Sequence, residues 1–593
     1  MCRCGGFFCG IKAGFMIYLL DTKSVRIRRR LYSGGVTDKG QDYHTVWKSM
    51  AGKIRKADEY KQANFFMIAA GCMFLLYIFL LVCLYPFLIK PGYGETSGVK
   101  YGFLVTVSYG FRAGALWIPT LIPLTLLCII AGTALYIKNS NMGIKAFIRS
   151  LHFSFVDILV ALYALSVILS VIVTPYRDDL IWGAPMSYMG LASQFMFILI
   201  YFISSRLFDL YELKWVVYGA LLSSAIVFII GILQRFGYDI FDLYAGLKNK
   251  LFISTIGQHT FFSSYMIVFY VLGIFLVWIL QPGSLMRRVA FLHLIIASCL
   301  PCILNADMIF AGLFIALSFL FVMSFDSIER MKAFFEITLI ILLTWRFIGI
   351  LWYFAKPEFL LEPLPKFIMQ SPLIWIPVIC LALIYVYVRR KAGEKIIFDL
   401  SKYRRLGYIY AGLLVFIAAA VTVYIFLNTA QILPEALRSR ANYLLFDPFW
   451  GNGRGAIWHD TVMSFLEELK ADPLTAIFGA GPDRYVDVTG KYVHDWIMIY
   501  SDKIALYAHN EWLNAFINYG IFGGAAYLCI FISAIPRFVR KGESTAVAYG
   551  AALIIVAYLA HQFFGYQQYI STPYIFLALG IGEQEVREKN KVL

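Results

Sequence analysis

Three short stretches in the C-terminal half carry residue types that do chemistry on an anion or a hydroxyl. Gly451-Asn452-Gly453-Arg454 leads into Trp458, Val462, Phe465, Leu466 and Leu469, spaced as one apolar face of a helix of about 16 residues. Arg454 then falls in a first helical turn, where its guanidinium and the free backbone N–H groups both favour an anion. The position suits a solvated arginine equally well, and the stripe with Trp458 suits a helix packed on a membrane roof. Phe478-Gly479-Ala480-Gly481-Pro482-Asp483-Arg484-Tyr485 joins two glycines that let backbone approach a ligand to an arginine able to clamp phosphate; an ordinary turn has the same composition. Tyr507-Ala508-His509-Asn510-Glu511-Trp512-Leu513 sets a histidine, an amide and a carboxylate where a loop enters an apolar run. Such a histidine can hold or deprotonate a hydroxyl, although Trp and His also anchor interfaces.

The elements that must position these residues are apolar. Sixty per cent of the 593 residues are hydrophobic, 17% are aromatic and only 15% are charged, against roughly 25% charged in soluble domains. The chain is therefore expected to be an all-α, polytopic transmembrane bundle. Runs near the roughly 20 residues that span hydrocarbon lie at 63–89, 114–137, 152–174, 187–205, 215–234, 258–280, 289–303, 308–324, 333–353, 372–388, 406–427, 513–534, 546–564 and 568–582, which predicts fourteen spans.

A formal charge of +16 first points to a nucleic-acid partner, but the distribution excludes it. Loops on the N-terminal side hold 35 of the 52 basic residues and 15 acidic ones, a net +20, while the opposite face is −3. Basic loops stay cytoplasmic, so both termini are expected inside. Five regions follow: a basic segment 1–62, extra spans within 63–150, a transmembrane core 151–427, a long outer loop 428–511, and the last spans with a short tail, 512–593. Loops as long as 428–511 are usually functional, and this one holds three of the eight histidines and no cysteine. Cys2, Cys4 and Cys9 form no disulfide framework and have no second metal cluster beside them; neither metal nor cofactor is expected. Within spans, Arg346 needs a partner or must snorkel, with Asp307 as candidate counter-ion, whereas Asp157 and Glu336 are expected to be exposed at inner span ends.

Ala508-His509-Asn510-Glu511-Trp512-Leu513 followed by Asn518-Tyr519-Gly520-Ile521-Phe522-Gly523 resembles the His-Asn…Gly-Ile-x-Gly signature of the O-antigen ligase/polymerase family. Arg454-x3-Trp458 and Phe478-Gly479-x-Gly481 are similar to that family's Arg…Trp and Gly-x-Gly elements, in the same order. Leu233-Gln234-Arg235-Phe236-Gly237 and Thr255-Ile256-Gly257-Gln258-His259-Thr260 are fainter echoes. Two elements depart: Gln258 and Thr260 replace asparagines, and Asn305-Ala306-Asp307-Met308 stands where the family often carries Ser-Arg or Ser-Asp-Ser. The resemblance implies a metal-independent, inverting glycosyl transfer from polyprenyl diphosphate to an acceptor hydroxyl at the outer face of a bacterial cytoplasmic membrane. Arg454, then Arg484 and Arg235, would face the diphosphate. His509 would orient or deprotonate the acceptor, Glu511 and Asp483 would hold its tautomer, and Asn510, Gly479, Gly481 and Trp458 would line the substrate. The partners implied are a lipid-linked saccharide donor, a glycan or lipid-glycan acceptor and membrane lipid, with no nucleic acid. A lipid-linked oligosaccharide flippase and an inactive scaffold are the rival expectations.

Overall fold

A computed structural model describes residues 62–90, 93–140, 143–207, 210–239, 252–393, 400–501, 505–540 and 545–592. The basic segment with its three cysteines lies outside them. Among the described residues the chain is helical apart from two small antiparallel hairpins. The N-terminal part comprises α1 (Gln62–Phe87), α2 (Tyr93–Ser108), the hairpin β1–β2 (Gly110–Ala113, Leu116–Pro119), α3 (Leu121–Ser140) and α4 (Ile144–Ser150). The central part comprises α5 (Phe155–Val173), α6 (Leu191–Leu207), α7 (Leu210–Arg235), the hairpin β3–β4 (Phe252–Ile253, Gly257–Gln258), α8 (His259–Ile279), α9 (Leu285–Ser298), α10 (Met308–Ser324), α11 (Ile328–Ala355), α12 (Pro363–Gln370), α13 (Trp375–Gly393) and α14 (Arg404–Thr429). Four helices fold the long loop, α15 (Trp450–Ala471), α16 (Pro473–Phe478), α17 (Tyr485–Lys491) and α18 (Asp495–Tyr500), and the chain closes with α19 (Glu511–Val539), α20 (Ala546–Gln562) and α21 (Thr572–Val592).

Each of the fourteen apolar runs falls on a helix. Among the described residues, nine helices are long and apolar enough to cross a membrane, and α6, α10 and α20 are shorter apolar helices. Serine, asparagine and threonine side chains start several of them by accepting first-turn N–H bonds: Ser154 at α5, Ser284 at α9, Ser327 at α11, Asn510 at α19 and Thr545 at α20. The second expected run starts late, because Gly114, at φ +61°, closes a tight hairpin whose turn needs left-handed residues. Helix α2 went unanticipated because Glu95, Thr96 and Lys100 interrupt its hydrophobicity. Lys100 is fully buried and donates to the carbonyls of Tyr85 and Pro86 at 3.1 and 2.9 Å, so it satisfies orphan acceptors at the end of α1.

Helix α8 runs through the interior, whereas the most apolar window of α14 has no buried residue. At the end of the bundle remote from the long loop lies an ion-pair network. Asp157, fully buried rather than exposed, accepts from Arg587 at 2.7 Å, Tyr201 at 2.8 Å and the Ser154 amide at 2.8 Å, with Arg206 at 3.2 Å. Glu583 takes both arms of Arg537 at 2.8 Å. Helix α21 thus continues as packed structure through the expected tail. Glu336 likewise pairs with Arg287, at 2.6 Å. Arg346 neither snorkels nor meets Asp307. It is buried, donates to the carbonyls of Met369 and Ser371 at 2.5 and 3.0 Å, and lies 5.2 Å from the Trp375 ring centre. It thereby caps the C-terminus of α12, whose last carbonyls have no helical donor.

Candidate functional site

The site is built around a reversal of the backbone. Gly451, Asn452 and Gly453 are successive left-handed residues, at φ +57°, +60° and +85°. The Tyr500 ring occupies the space that a Cβ on Gly453 would need, and its hydroxyl donates to the Asn452 carbonyl at 3.0 Å. This turn presents Arg454, whose Nη1 donates to Gly451 O at 2.7 Å and Nη2 to Phe564 O at 3.3 Å, with the guanidinium 5.6 Å from the Phe564 ring centre. Trp458 stacks on Phe564 at 6.2 Å and meets Phe563 edge-on at 5.4 Å. It supports the turn after α20 on which Arg454 rests. Burial lowers the guanidinium pKa, opposed by Tyr443, Asp307, Glu362 and Tyr500 around it. Among the described residues no carboxylate oxygen lies within 4.0 Å of it, and its Nε has no hydrogen-bond partner.

His509 comes to the same turn from the other side. It is itself left-handed, at φ +46°, a strained state for a non-glycine residue that functional sites often retain. Its ring meets Tyr566 edge-on at 5.4 Å, Tyr566 is stacked on Tyr507 at 4.1 Å, and the Tyr566 hydroxyl donates to Gln258 Oε1 at 3.2 Å. Burial first, then the Arg454 guanidinium and His259, lowers the His509 pKa to about 4. The imidazole is therefore neutral at pH 7, with a ring nitrogen able to accept a hydrogen bond.

A carboxyl pair completes the arrangement. Asn305, at φ +54°, grips the segment before α12 as a neighbouring strand would, donating to Leu360 O at 2.8 Å and accepting from the Glu362 amide at 3.1 Å. This brings Glu362 towards Asp307, and the two acids interact. Burial raises both pKa values and Asp307 raises Glu362 further, while Arg454 pulls both down. Two such acids tend to share a proton. Arg235 approaches the same segment, with its guanidinium 4.0 Å from the Phe359 ring centre.

Other expected site residues do structural work elsewhere. Glu511 does not hold His509; its carboxylate accepts from Tyr527 at 2.5 Å and from Tyr558 at 2.9 and 2.7 Å, deep in the bundle. Asp483 instead ties down the connection after α5, accepting from the Ala184 amide at 2.7 Å and the Ser187 hydroxyl at 2.5 Å. Burial raises its pKa to about 6 despite these donors and Arg484. Asn510 spends its side chain capping α19, with Trp512 and Leu513 amides at 3.0 and 3.1 Å. Arg484 is buried and paired with Asp487 at 3.2 Å.

Gly479 and Gly481 meet no ligand-facing space: they dock on a kink in α19. The amides of Ala480 and Gly481 donate to the carbonyls of Ile517 and Asn518 at 3.0 and 2.9 Å. Gly520, at φ +69° and ψ −173°, brings α19 against the Ile477 carbonyl, where a Cβ would overlap it. The two glycine elements are therefore halves of one joint, which fixes the loop to a helix long and apolar enough to cross a membrane.

His259, Asp307, Glu362 and Tyr566 are the residues at the site that the sequence reading did not assign to it. His259 and Asp307 lie inside the departing Gly257–Thr260 and Asn305–Met308 elements, and that placement was the available signal. Glu362 and Tyr566 carry none, because only the fold brings their loops to Arg454. No protein-family model matches the chain, and no curated protein matches it.

Proposed function

We propose that the protein transfers a saccharide from polyprenyl diphosphate to an acceptor hydroxyl at one face of the membrane, as a glycan ligase or polymerase. The convergence of Arg454 and His509 on the Phe564–Tyr566 turn carries this reading. In the reaction, the acceptor oxygen bonds to the anomeric carbon as the bond from that carbon to the bridging phosphate oxygen breaks. The electron pair leaves on the diphosphate, and the acceptor proton passes to His509. Arg454 is a fixed cation in partly dry surroundings, where stabilising charge that develops on a leaving group is worth most. Its planar fork suits phosphate better than an ammonium does. A neutral His509 suits an acceptor hydroxyl, which it can hold before bond formation and relieve of its proton as the oxygen becomes acidic. In this reading the loop faces outward, both termini are cytoplasmic, and the envelope of a bacterial cell supplies the substrates.

The test is reconstitution in liposomes with a polyprenyl-diphosphate oligosaccharide and a glycan acceptor. A new glycosidic bond and free polyprenyl diphosphate are expected, and Arg454→Gln and His509→Ala should each abolish most turnover. Full turnover in both variants would overturn the assignment. Lipid-linked saccharide crossing the bilayer with no new bond would mark a transporter.

A further inference from the structure

The apolar side chains of α14 are exposed on every side. At about 100° per residue, Leu413, Val415, Val421 and Val423 point to four different sides, and all are exposed; of the whole helix only Gly407 and Asn428 are buried. A partner helix covers one stripe, whereas apolar exposure around the full circumference is the pattern of a helix solvated by lipid. Beyond Thr429 the chain turns back along α14. The Tyr424 hydroxyl donates to Leu437 O at 2.8 Å, which ties Leu437 to a residue five positions before the helix end. Arg438 closes this return, with Nε donating to Leu433 O and Nη2 to Gln431 O, both at 2.7 Å. Ile432 and Leu437 are left 63% and 61% exposed. The returning segment, Gln431–Arg440, has a formal charge of +1 from Arg438, Arg440 and Glu435, and among the described residues Arg440 has no hydrogen bond or ion pair. The same return is clamped to the Arg454 turn. Asn428, buried at the end of α14, donates to Ser439 O and Leu444 O at 2.8 Å and accepts from the Ser439 amide at 3.2 Å. Thr429 accepts from the Phe446 amide at 2.9 Å. Between these clamps Asn442 accepts from the Gly451 amide at 3.1 Å, and Gly451 O receives Arg454 Nη1.

We propose that Gln431–Arg440 is an interfacial anchor, with Ile432 and Leu437 seated in the acyl-chain boundary of the leaflet on the long loop's side and Arg440 among the phosphates of anionic phospholipid. The inference goes beyond the glycosyl-transfer reading and does not rest on it. Continuity selects the occupant: the two apolar residues adjoin a helix flank exposed on all sides, which a bilayer covers completely and a second copy of the chain covers only in part. An unpaired arginine beside an apolar pair is the composition that suits a head-group boundary. The anchor fixes the loop rather than the bundle. Because the end of α14 clamps both the anchor and the segment holding Asn442, the Arg454 turn takes its position relative to the membrane surface from this contact.

The full-length protein is reconstituted in phosphatidylcholine vesicles with a solvatochromic unnatural residue at position 437. Its emission should be quenched by phospholipid brominated on the acyl chains and shielded from aqueous iodide. Quenching by iodide alone would overturn the anchor, as would protection from both quenchers, the result expected if a second copy covers the segment. Replacing part of the phosphatidylcholine by phosphatidylglycerol should strengthen quenching by brominated lipid, and Arg440→Gln should remove that gain; no gain in the unsubstituted protein would refute the phosphate contact. Leu437→Asp should speed hydrogen–deuterium exchange at amides of 439–454 about tenfold in vesicles, the scale of losing one seated leucine, while α10 and α11 keep their rates and Leu437→Met changes nothing. Unchanged exchange at 439–454 in Leu437→Asp would sink the link between the anchor and the Arg454 turn.

Discussion

Replacing Gly520 by alanine tests the joint that holds the loop to the bundle. Gly520 combines φ +69° with ψ −173°, a region essentially confined to glycine, in which another residue costs about 1–3 kcal/mol. An alanine Cβ would also overlap the Ile477 carbonyl and the Gly479 amide, both backbone and therefore unable to swing aside. Relief of that overlap must strain or break the bonds from Ala480 and Gly481 to Ile517 and Asn518, each worth about 0.5–1.5 kcal/mol. Together these give about 3 kcal/mol, or roughly a hundredfold larger open population at about 1.4 kcal/mol per tenfold. Hydrogen–deuterium exchange reads this directly: amides of 477–484 should exchange about a hundredfold faster in Gly520→Ala, while α10 and α11 keep wild-type rates. Gly71→Ala is the control, since its Cβ meets nothing within 4 Å and a helix interior favours alanine by up to about 1 kcal/mol. Unchanged exchange in 477–484 would refute the joint and return the Gly-x-Gly element to ligand binding.

Arg454→Gln should lower turnover in the glycosyl-transfer assay by about 10²–10³, the usual loss for one fixed electrostatic donor, and Arg454→Lys should recover part of it. His509, held near pKa 4, should keep activity constant as pH falls from 7 towards 5 and lose it as the ring protonates near 4; Arg454→Gln should move that acid limb upward in a pH–rate profile. The same group weakens the fold in acid. Its pKa is lower folded than unfolded, near 6.5, so the unfolded chain binds the extra proton, and stability falls as pH drops from about 6.5 to 4, measurable as a decline in Tm that His509→Gln removes. Asp157→Asn leaves Arg206 and Arg587 without their shared carboxylate; breaking such a buried pair costs about 3–5 kcal/mol, and a detergent melt should show a clear drop in Tm, whereas Arg206→Ala, at the more exposed partner, should cost less.

Helix identity was legible in the sequence because hydrophobic runs are a local property: all fourteen fell on helices. Hairpin β1–β2 was not, since Leu116, Trp117 and Ile118 read as the start of a span until Gly114 closes the turn. Charges within spans misled for a related reason. Asp157 and Glu336 sit near helix ends, where sequence alone favours exposure, yet Asp157 meets two arginines and Glu336 one, all contributed by other helices. Arg346 found backbone carbonyls, partners that no residue pattern announces. Spacing singled out Arg454 and His509 because each adjoins an abrupt change from loop to periodic helix, and the fold brings both to the Phe564–Tyr566 turn. The same spacing also singled out Glu511, Asn510 and the glycines, whose polar groups the fold engages with tyrosines, first-turn amides and a backbone joint. A residue type capable of catalysis is free to perform it only if its polar atoms are not already committed. That condition is met by Arg454 Nε and by Asp307 Oδ1, which lack hydrogen-bond partners. The two groups interact electrostatically from elements almost 150 positions apart in the chain, so the fold rather than the motif brings them together.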